Sequence, residues 1–234
     1  MKNIINDTRL LKGLPKTSKY WQDWKKNNPK LSQYLRSVAI GLILGDVGLH
    51  KVGKEAYIKF EQGYKQKFFI EDLFDKFKLY TFMDKLGIRY QKNDKFTIKS
   101  YWFKTYSHET FTDLWKIFYI PYINIDGKEK YKKSVIPGLI TKELDEISLA
   151  YWIMCDGSLQ KDHKTLILHT QSFNYDTNLI ISKELNVKFN LNSEVIVHKH
   201  NYYVIKIPKE NSKNLNNFIK NHIIDSMKYK LPSF

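Results

Sequence analysis

Two stretches decide how this chain folds: AIGLILGDV at residues 39–47 and LAYWIMCDG at 149–157. Each is an apolar run that stops on a single acidic residue beside a glycine, Asp46 after Gly45 and Asp156 before Gly157. Upstream of the first, Leu31, Tyr34, Leu35, Val38 and Leu42 recur at helical spacing, and Asn28-Pro29 offers an N-cap followed by a proline suited to the first helical position. The second run starts after Asp145, a capping residue, and passes through Leu149, Trp152 and Ile153 to Asp156. Asp46 and Asp156 lie 110 positions apart, and a polar residue follows each by fifteen positions, Glu61 and Gln171. A shared spacing after a shared motif points to an internal duplication.

The flanking segments extend the duplication. After the first motif, AYIKFE (56–61) alternates as a strand does, 66–86 has helical spacing with Gly87 as a stop, and 95–106 is strand-like, in the manner of a hairpin. A helix is expected near 108–119, then a basic segment at Lys128–Lys133 and Pro137. After the second motif, strands are expected at 164–172, 193–199 and 202–207, with helices at 175–189 and 211–222. Each half therefore reads as α-β-β-α-β-β-α, although the fourth strand of the second half has no clear signal. The expected layout is an N-terminal extension over 1–27, a first repeat over 28–137 and a second over 138–234. The fold class is mixed α/β (α+β).

Across 234 residues the chain carries 39 Lys+Arg against 24 Asp+Glu, a net charge of +15. Aromatic residues make up 15% and hydrophobic residues 42%, so a real core is expected rather than a disordered basic tail. The single cysteine, Cys155, excludes a disulfide scaffold and a cysteine-based zinc finger. The apolar runs near 38–45 and 149–155 fall well short of the roughly 18–20 residues that a spanning helix needs. The first thirty residues lack the pattern of a signal or transit peptide. Such a basic surface attracts a polyanion. AT-rich coding favours Lys as well, but it does not suppress acidic residues. Only Arg9, Arg36 and Arg89 are arginines, so bidentate reading of guanine is scarce and recognition would lean on Lys, Asn, Gln, His and DNA shape.

A carboxylate at the last turn of a helix, with the unpaired carbonyls around it, suits a hard cation that takes oxygen ligands. Either aspartate alone would read as a surface boundary residue. The pair in register reads as a metal site: Asp46 and Asp156, with the carbonyls of Gly45 and Cys155. Two carboxylates at two negative helix ends repel one another unless cations lie between them. Ser37, Gly41 and Gly45 form a small-residue face on the first helix. Ile147, Tyr151 and Cys155 hold the matching positions on the second, so Tyr151 is expected to fill the notch at Gly41. The Cys155 side chain itself reads as a small buried group.

These two runs, together with KKSVIP (132–137), HTQSF (169–173) and KYKLP (228–232), resemble the LAGLIDADG homing endonucleases of the single-chain, two-motif type. The resemblance implies two pseudosymmetric αββαββα repeats whose antiparallel sheets form a DNA-binding saddle. It implies a monomeric, Mg²⁺-dependent enzyme with two or more divalent ions per active centre. Such an enzyme hydrolyses both strands of a long double-stranded target, leaves staggered 3′ overhangs and promotes intron homing. By the same resemblance Lys133 and Lys230 are active-site lysines, Glu61 and Gln171 position the metal or its waters, and the protein is made inside the mitochondrion.

Strand parity places Tyr57 and Lys59 on the side of Glu61, and Thr165, Ile167 and His169 on the side of Gln171. Candidate DNA contacts are Tyr57, Lys59, Lys99, Lys161, His169, Lys199 and Lys206, within or near the polar segments Gln160–Lys164 and His198–Asn201. Two other readings compete: an RNA maturase that binds its own intron on the same scaffold, and a basic nucleic-acid binder without catalysis.

Overall fold

The computed structural model describes residues 14, 15, 17–28, 30–199 and 202–233. Pro29, His200 and Asn201 lie outside the described residues. The chain runs α1 (Lys19–Asn27), α2 (Gln33–Leu44), β1 (Gly48–Val52), β2 (Glu55–Gly63), α3 (Lys67–Lys76), β3 (Gly87–Gln91), β4 (Asp94–Lys104) and α4 (Glu109–Phe118). A hairpin of β5 (Tyr119–Ile123) and β6 (Glu129–Lys133) and the short α5 (Leu139–Glu143) follow. The pattern then recurs as α6 (Glu146–Asp156), β7 (Gly157–Leu159), β8 (Leu166–Leu168), α7 (Tyr175–Phe189), β9 (Glu194–Val197), β10 (Tyr203–Ile207) and α8 (Ser212–Ile219). From α2 to α4 and from α6 to α8 the order is αββαββα. The two four-stranded sheets have matching orders, β1-β2-β4-β3 and β7-β8-β10-β9, and every pairing is antiparallel.

The described residues divide into two compact units, and the division does not follow the repeats. One unit runs up to Leu35 and continues over Gly48–Asp113; the other joins Arg36–Val47 to the chain from Leu114 onward. The first motif helix thus belongs with the second. The cause is burial: α2 is covered on all sides from Ser37 to Leu44, and α6 from Ser148 to Cys155. A helix that is apolar all round needs neighbours all round.

In the first unit, Ala56, Ile58 and Phe60 on β2 face the core while Tyr57, Lys59 and Glu61 face outward, as their alternation requires. Phe60 stacks on Phe103 with centroids 4.3 Å apart and meets Phe77 at 5.0 Å. The helix expected over 66–86 is shorter. It ends at Lys76, a 3₁₀ turn spans Lys78–Tyr80, and the chain then runs toward β3. The Thr81 hydroxyl donates to the Lys104 carbonyl at 2.8 Å, which pulls that segment onto the sheet. The strand-like stretch near 95–106 is β4, hairpin-paired with β3. The register slips so that Arg89 faces Ser100 and Tyr90 faces Ile98, which skips Lys99.

In the second unit, Ile205 opposite Leu168 and Ile207 opposite Leu166 are all buried, as are Ile181, Leu185 and Phe189 of α7. The 164–172 strand reduces to Leu166–Leu168, because Thr170 leaves the sheet: its hydroxyl donates to the buried Asn178 of α7 at 2.5 Å. Its partner β7 is only three residues long, too short to show a period. The basic segment at 128–133 is a strand. Trp115 holds that hairpin, stacked on Tyr119 at 5.6 Å and tilted on Tyr131 at 4.6 Å.

The first motif helix begins later than Asn28. Asn28 closes α1, and the Ser32 hydroxyl accepts from the Leu35 N–H at 3.2 Å. For α6 the expected cap is present as a capping box: Asp145 accepts from the Ser148 N–H at 2.8 Å and its own N–H donates to the Ser148 hydroxyl at 2.8 Å. No helix among the described residues is long and apolar enough to cross a membrane.

Candidate active site

The site is built where the two motif helices touch. A Cβ placed on Gly41 would lie 2.1 Å from the Ser148 carbonyl oxygen and 2.9 Å from the Tyr151 Cβ. The notch is therefore filled by the backbone of α6 as well as by the root of Tyr151, rather than by the Tyr151 ring alone. One turn on, a Cβ on Gly45 would meet the Cys155 Cβ at 2.7 Å and an Asp156 carboxyl oxygen at 3.3 Å. At both positions only glycine lets the backbones approach this closely. Ser37 donates across the helices to the Asp145 carboxylate, and Arg36 pairs with Glu143.

This contact brings Asp46 and Asp156 together at the C-terminal ends of α2 and α6. Their carboxyl groups lie near enough for the Asp46 charge to act directly on Asp156. Burial and then the neighbouring Asp46 push the Asp156 carboxyl up to about 7, against the pull of Lys133 and Lys230. A cation between the two carboxylates would relieve that repulsion.

Lys133 and Lys230 occupy equivalent places at the two helix ends. The Lys133 ammonium donates to the Gly45 carbonyl at 2.6 Å and to Ile43 at 2.9 Å. It also lies 5.7 Å from the centroid of the Phe173 ring. The Lys230 ammonium donates to Met154 at 2.5 Å, Cys155 at 3.2 Å and Ile153 at 3.3 Å. Each lysine is a C-cap for a motif helix, satisfying orphan carbonyls and opposing the negative helix end. Lys133 uses two of its three N–H donors in these bonds and Lys230 uses all three. Burial lowers both ammonium pKa values, while the aspartates resist the shift.

The carbonyls of Gly45 and Cys155, expected from the sequence as cation ligands, therefore already accept hydrogen bonds from the two lysines. The thiol of Cys155 is buried and its pKa is raised, first by burial and then by Asp156 and Asp46. Among the described residues no cluster of three or more His, Cys, Asp or Glu forms a protein cage for a metal ion. Two oxygen donors and little else suit Mg²⁺, which keeps several waters and binds through one or two carboxylates and substrate phosphates.

His169 follows β8, and its backbone N–H donates to the Asp156 carbonyl at 3.0 Å. Its ring lies 2.8 Å from the Ser158 hydroxyl through Nε2 and 3.1 Å from the Gln171 amide nitrogen through Nδ1. Burial, then His198 and Lys230, lower its pKa, so the imidazole is neutral near pH 7. Gln171 is not on a strand as expected; it sits in the turn after β8. Ser158 carried no signal in the sequence, because its counterpart in the first repeat is Gly48.

Asp46, Asp156, Gly45, Cys155, Lys133, Lys230, His169 and Gln171 all belong to the second unit, whereas Glu61, Tyr57, Lys59 and Lys99 belong to the first. There the Glu61 carboxylate accepts from Lys59 at 2.7 Å and Ser100 at 2.7 Å, with Arg89 at 3.0 Å. Burial would raise its pKa, but Lys59, Ser100 and Arg89 together hold it below the usual range. Lys99, Lys161 and Lys199 are exposed. Lys206 is tied to Glu194 at 2.7 Å across β10 and β9, which raises its pKa.

Residues 36–215 match the family model described as "LAGLIDADG DNA endonuclease family". A "Probable intron-encoded endonuclease 1" from Wickerhamomyces canadensis is 34% identical over 98% of this chain and 97% of its own length. A "Probable intron-encoded DNA endonuclease 3" from Mycosarcoma maydis is 42% identical over 58% of this chain and 95% of its own. The "Cytochrome b mRNA maturase bI2" of Saccharomyces cerevisiae is 30% identical over 99% of this chain and 55% of its own. Among solved structures, "The homing endonuclease I-WcaI bound to its DNA recognition sequence" superposes with a TM-score of 0.83 at 32% identity, covering 97% of this chain and 98% of that one.

Proposed function

Since this chain belongs to the LAGLIDADG DNA endonuclease family, we propose that Asp46 and Asp156 form the catalytic centre at which it cuts both strands of its target. The chain is a site-specific DNA endonuclease of the intron-encoded kind, a single polypeptide that carries both motifs. Endonucleases of this family work with divalent metal ions. Here Asp46 and Asp156 would hold them, with Mg²⁺ as the ion and two or more per centre. A divalent ion at that place supplies an activated water and neutralises charge at the scissile phosphate.

The single observation that carries the reading is the close contact of the two motif helices at Gly41 and Gly45, which sets the Asp156 carboxyl against the turn that bears Asp46. Lys133 and Lys230 hold the helix ends that aim the carboxylates. The remaining donor of Lys133 is available to a phosphate oxygen, where it would stabilise developing charge. Lys230, with its donors spent on carbonyls, acts by its field. Gln171 in the second repeat and Glu61 in the first position waters, and Tyr57, Lys59, Lys99, Lys161, Lys199 and Lys206 contact DNA; His169, expected among these contacts, instead spends both ring nitrogens on Ser158 and Gln171. The product carries 3′ overhangs, the cut initiates intron homing, and the protein works in the mitochondrion.

The test is incubation with a duplex carrying the uninterrupted insertion site. Cleavage is expected with Mg²⁺, and a tight uncut complex with Ca²⁺. Asp46→Asn and Asp156→Asn should each abolish double-strand cutting while leaving binding intact; cutting by either variant would overturn the assignment. The likeness to an mRNA maturase favours a second reading, assistance of intron splicing. It predicts that the Asp46→Asn protein still binds and splices the intron RNA.

A further inference from the structure

Gln171 matters only if its amide is turned the right way, and an amide on a turn is free to rotate unless a neighbour fixes it. We infer that His169 is a positioning residue that fixes the Gln171 amide, with Ser158 in turn fixing the imidazole. The inference rests on Gln171 acting in the second half of the centre, as proposed above.

The hydrogen bonds determine the direction. An amide nitrogen can only donate, so the 3.1 Å contact makes His169 Nδ1 the acceptor. The ring proton is then on Nε2, which donates to the Ser158 hydroxyl at 2.8 Å. With Nε2 of Gln171 committed to the ring, its Oε1 is the atom left to accept a hydrogen bond from water or substrate. Were the ring absent, the amide could present either end. The anchor is close to the reaction, because the His169 N–H donates to the carbonyl of Asp156 itself at 3.0 Å. Ser158 lies on β7 and His169 follows β8, so the pairing of these two short strands, Gly157 opposite Leu168 and Ser158 opposite Ile167, sets the distance between them.

The corresponding position of the first repeat bears on the same idea. Lys59 stands two residues before Glu61 as His169 stands two before Gln171. Lys59 also holds its neighbour, donating to Glu61 at 2.7 Å. Both repeats thus use the residue two positions upstream to hold the polar residue, one by an ion pair and the other by a neutral ring. In the second repeat the bond passes through a single acceptor atom, so it can be removed selectively.

Asparagine places an oxygen where His Nδ1 stands, whereas glutamine reaches toward the place of Nε2. His169→Asn therefore keeps the acceptor for Gln171 and drops Ser158, and His169→Gln does the reverse. The experiment follows cleavage of a supercoiled plasmid carrying the target, at saturating protein in Mg²⁺, with affinity for the target duplex measured separately in Ca²⁺. His169→Gln should slow the cutting of one strand by about 10- to 100-fold, accumulate nicked circles and leave affinity within about threefold. His169→Asn should recover most of that rate. If the two variants cut alike, or if His169→Gln slows both strands equally or merely weakens binding, the inference fails. If the unsubstituted protein does not cut at all, the functional reading fails instead.

Discussion

Asp46 and Asp156, 110 residues apart in the chain, are brought together at the ends of two buried helices, where the charge of Asp46 disfavours ionisation of Asp156. The ends of two helices are thereby held in an arrangement that is unfavourable at neutral pH without added positive charge. Several measurable properties follow from that pair and from the contacts that enforce it.

The first concerns pH. The folded-state pKa of Asp156 is raised from an ordinary 3.8 to about 7. Between these values the folded protein binds more protons here than the unfolded chain, so this group's contribution to stability falls as pH rises from 4 to 7. Other carboxylates, such as Asp145 and Asp162, are shifted downward and act in the opposite sense. The clean measurement is the melting temperature of the ion-free protein minus that of Asp156→Asn. It should decline across that range, and Mg²⁺ should raise melting more at pH 8 than at pH 5. A flat difference would contradict the raised pKa.

Removing the lysine cap from α6 should be felt in both stability and catalysis. Lys230 is only 7% exposed, and in Lys230→Met the carbonyls of Met154 and Cys155 lose their donor. The cost expected from denaturant melts is about 1–3 kcal/mol. Cleavage should fall sharply while affinity for target in Ca²⁺ persists. Full activity in the folded Met variant would remove Lys230 from the centre.

Gly41→Ala tests the helix contact. On an isolated helix alanine would be favoured by about 1 kcal/mol. Here its Cβ would sit 2.1 Å from the Ser148 oxygen, so a net loss of about 1–3 kcal/mol or more is expected. Gly45→Ala should cost activity more than stability, because its new atom presses on Cys155 and the Asp156 carboxyl. A stabilised Gly41→Ala protein would rule out the close approach.

An acid transition is expected at α1. His108 is 3% exposed; its Nδ1 accepts from the Thr110 N–H at 3.2 Å and its Nε2 donates to the Lys25 carbonyl at 3.2 Å. Burial lowers its pKa, Lys25 and Lys30 add to the effect, and Glu109 and the bond to Lys25 oppose it. A histidine depressed in the folded state costs stability as pH falls below its unfolded value of 6.5. Proton NMR of the ring should show a midpoint below 6.5, accompanied by loosening of Trp21 and Trp24 from Tyr106. A midpoint above 6.5 would contradict the buried neutral ring.

Much of this molecule could be read from the order of its residues, because the relevant signals are local. The helical spacing before Asp46, the Asp145 cap, the alternation across 56–61 and the limits of α7 each depend on neighbours a few positions away, where helix and strand periods act. The duplication was visible because both aspartates and the polar residues fifteen places beyond them keep one register. Tertiary structure alone decided that α2 packs with the second repeat, that Lys133 and Lys230 meet carbonyls proposed as cation ligands, and that Ser158 reaches His169. It also ended β8 at Leu168, leaving Gln171 on a turn. These outcomes depend on which groups packing brings within a hydrogen-bond length, 11 residues apart for Ser158 and His169 and 88 for Gly45 and Lys133, and no local period encodes that distance.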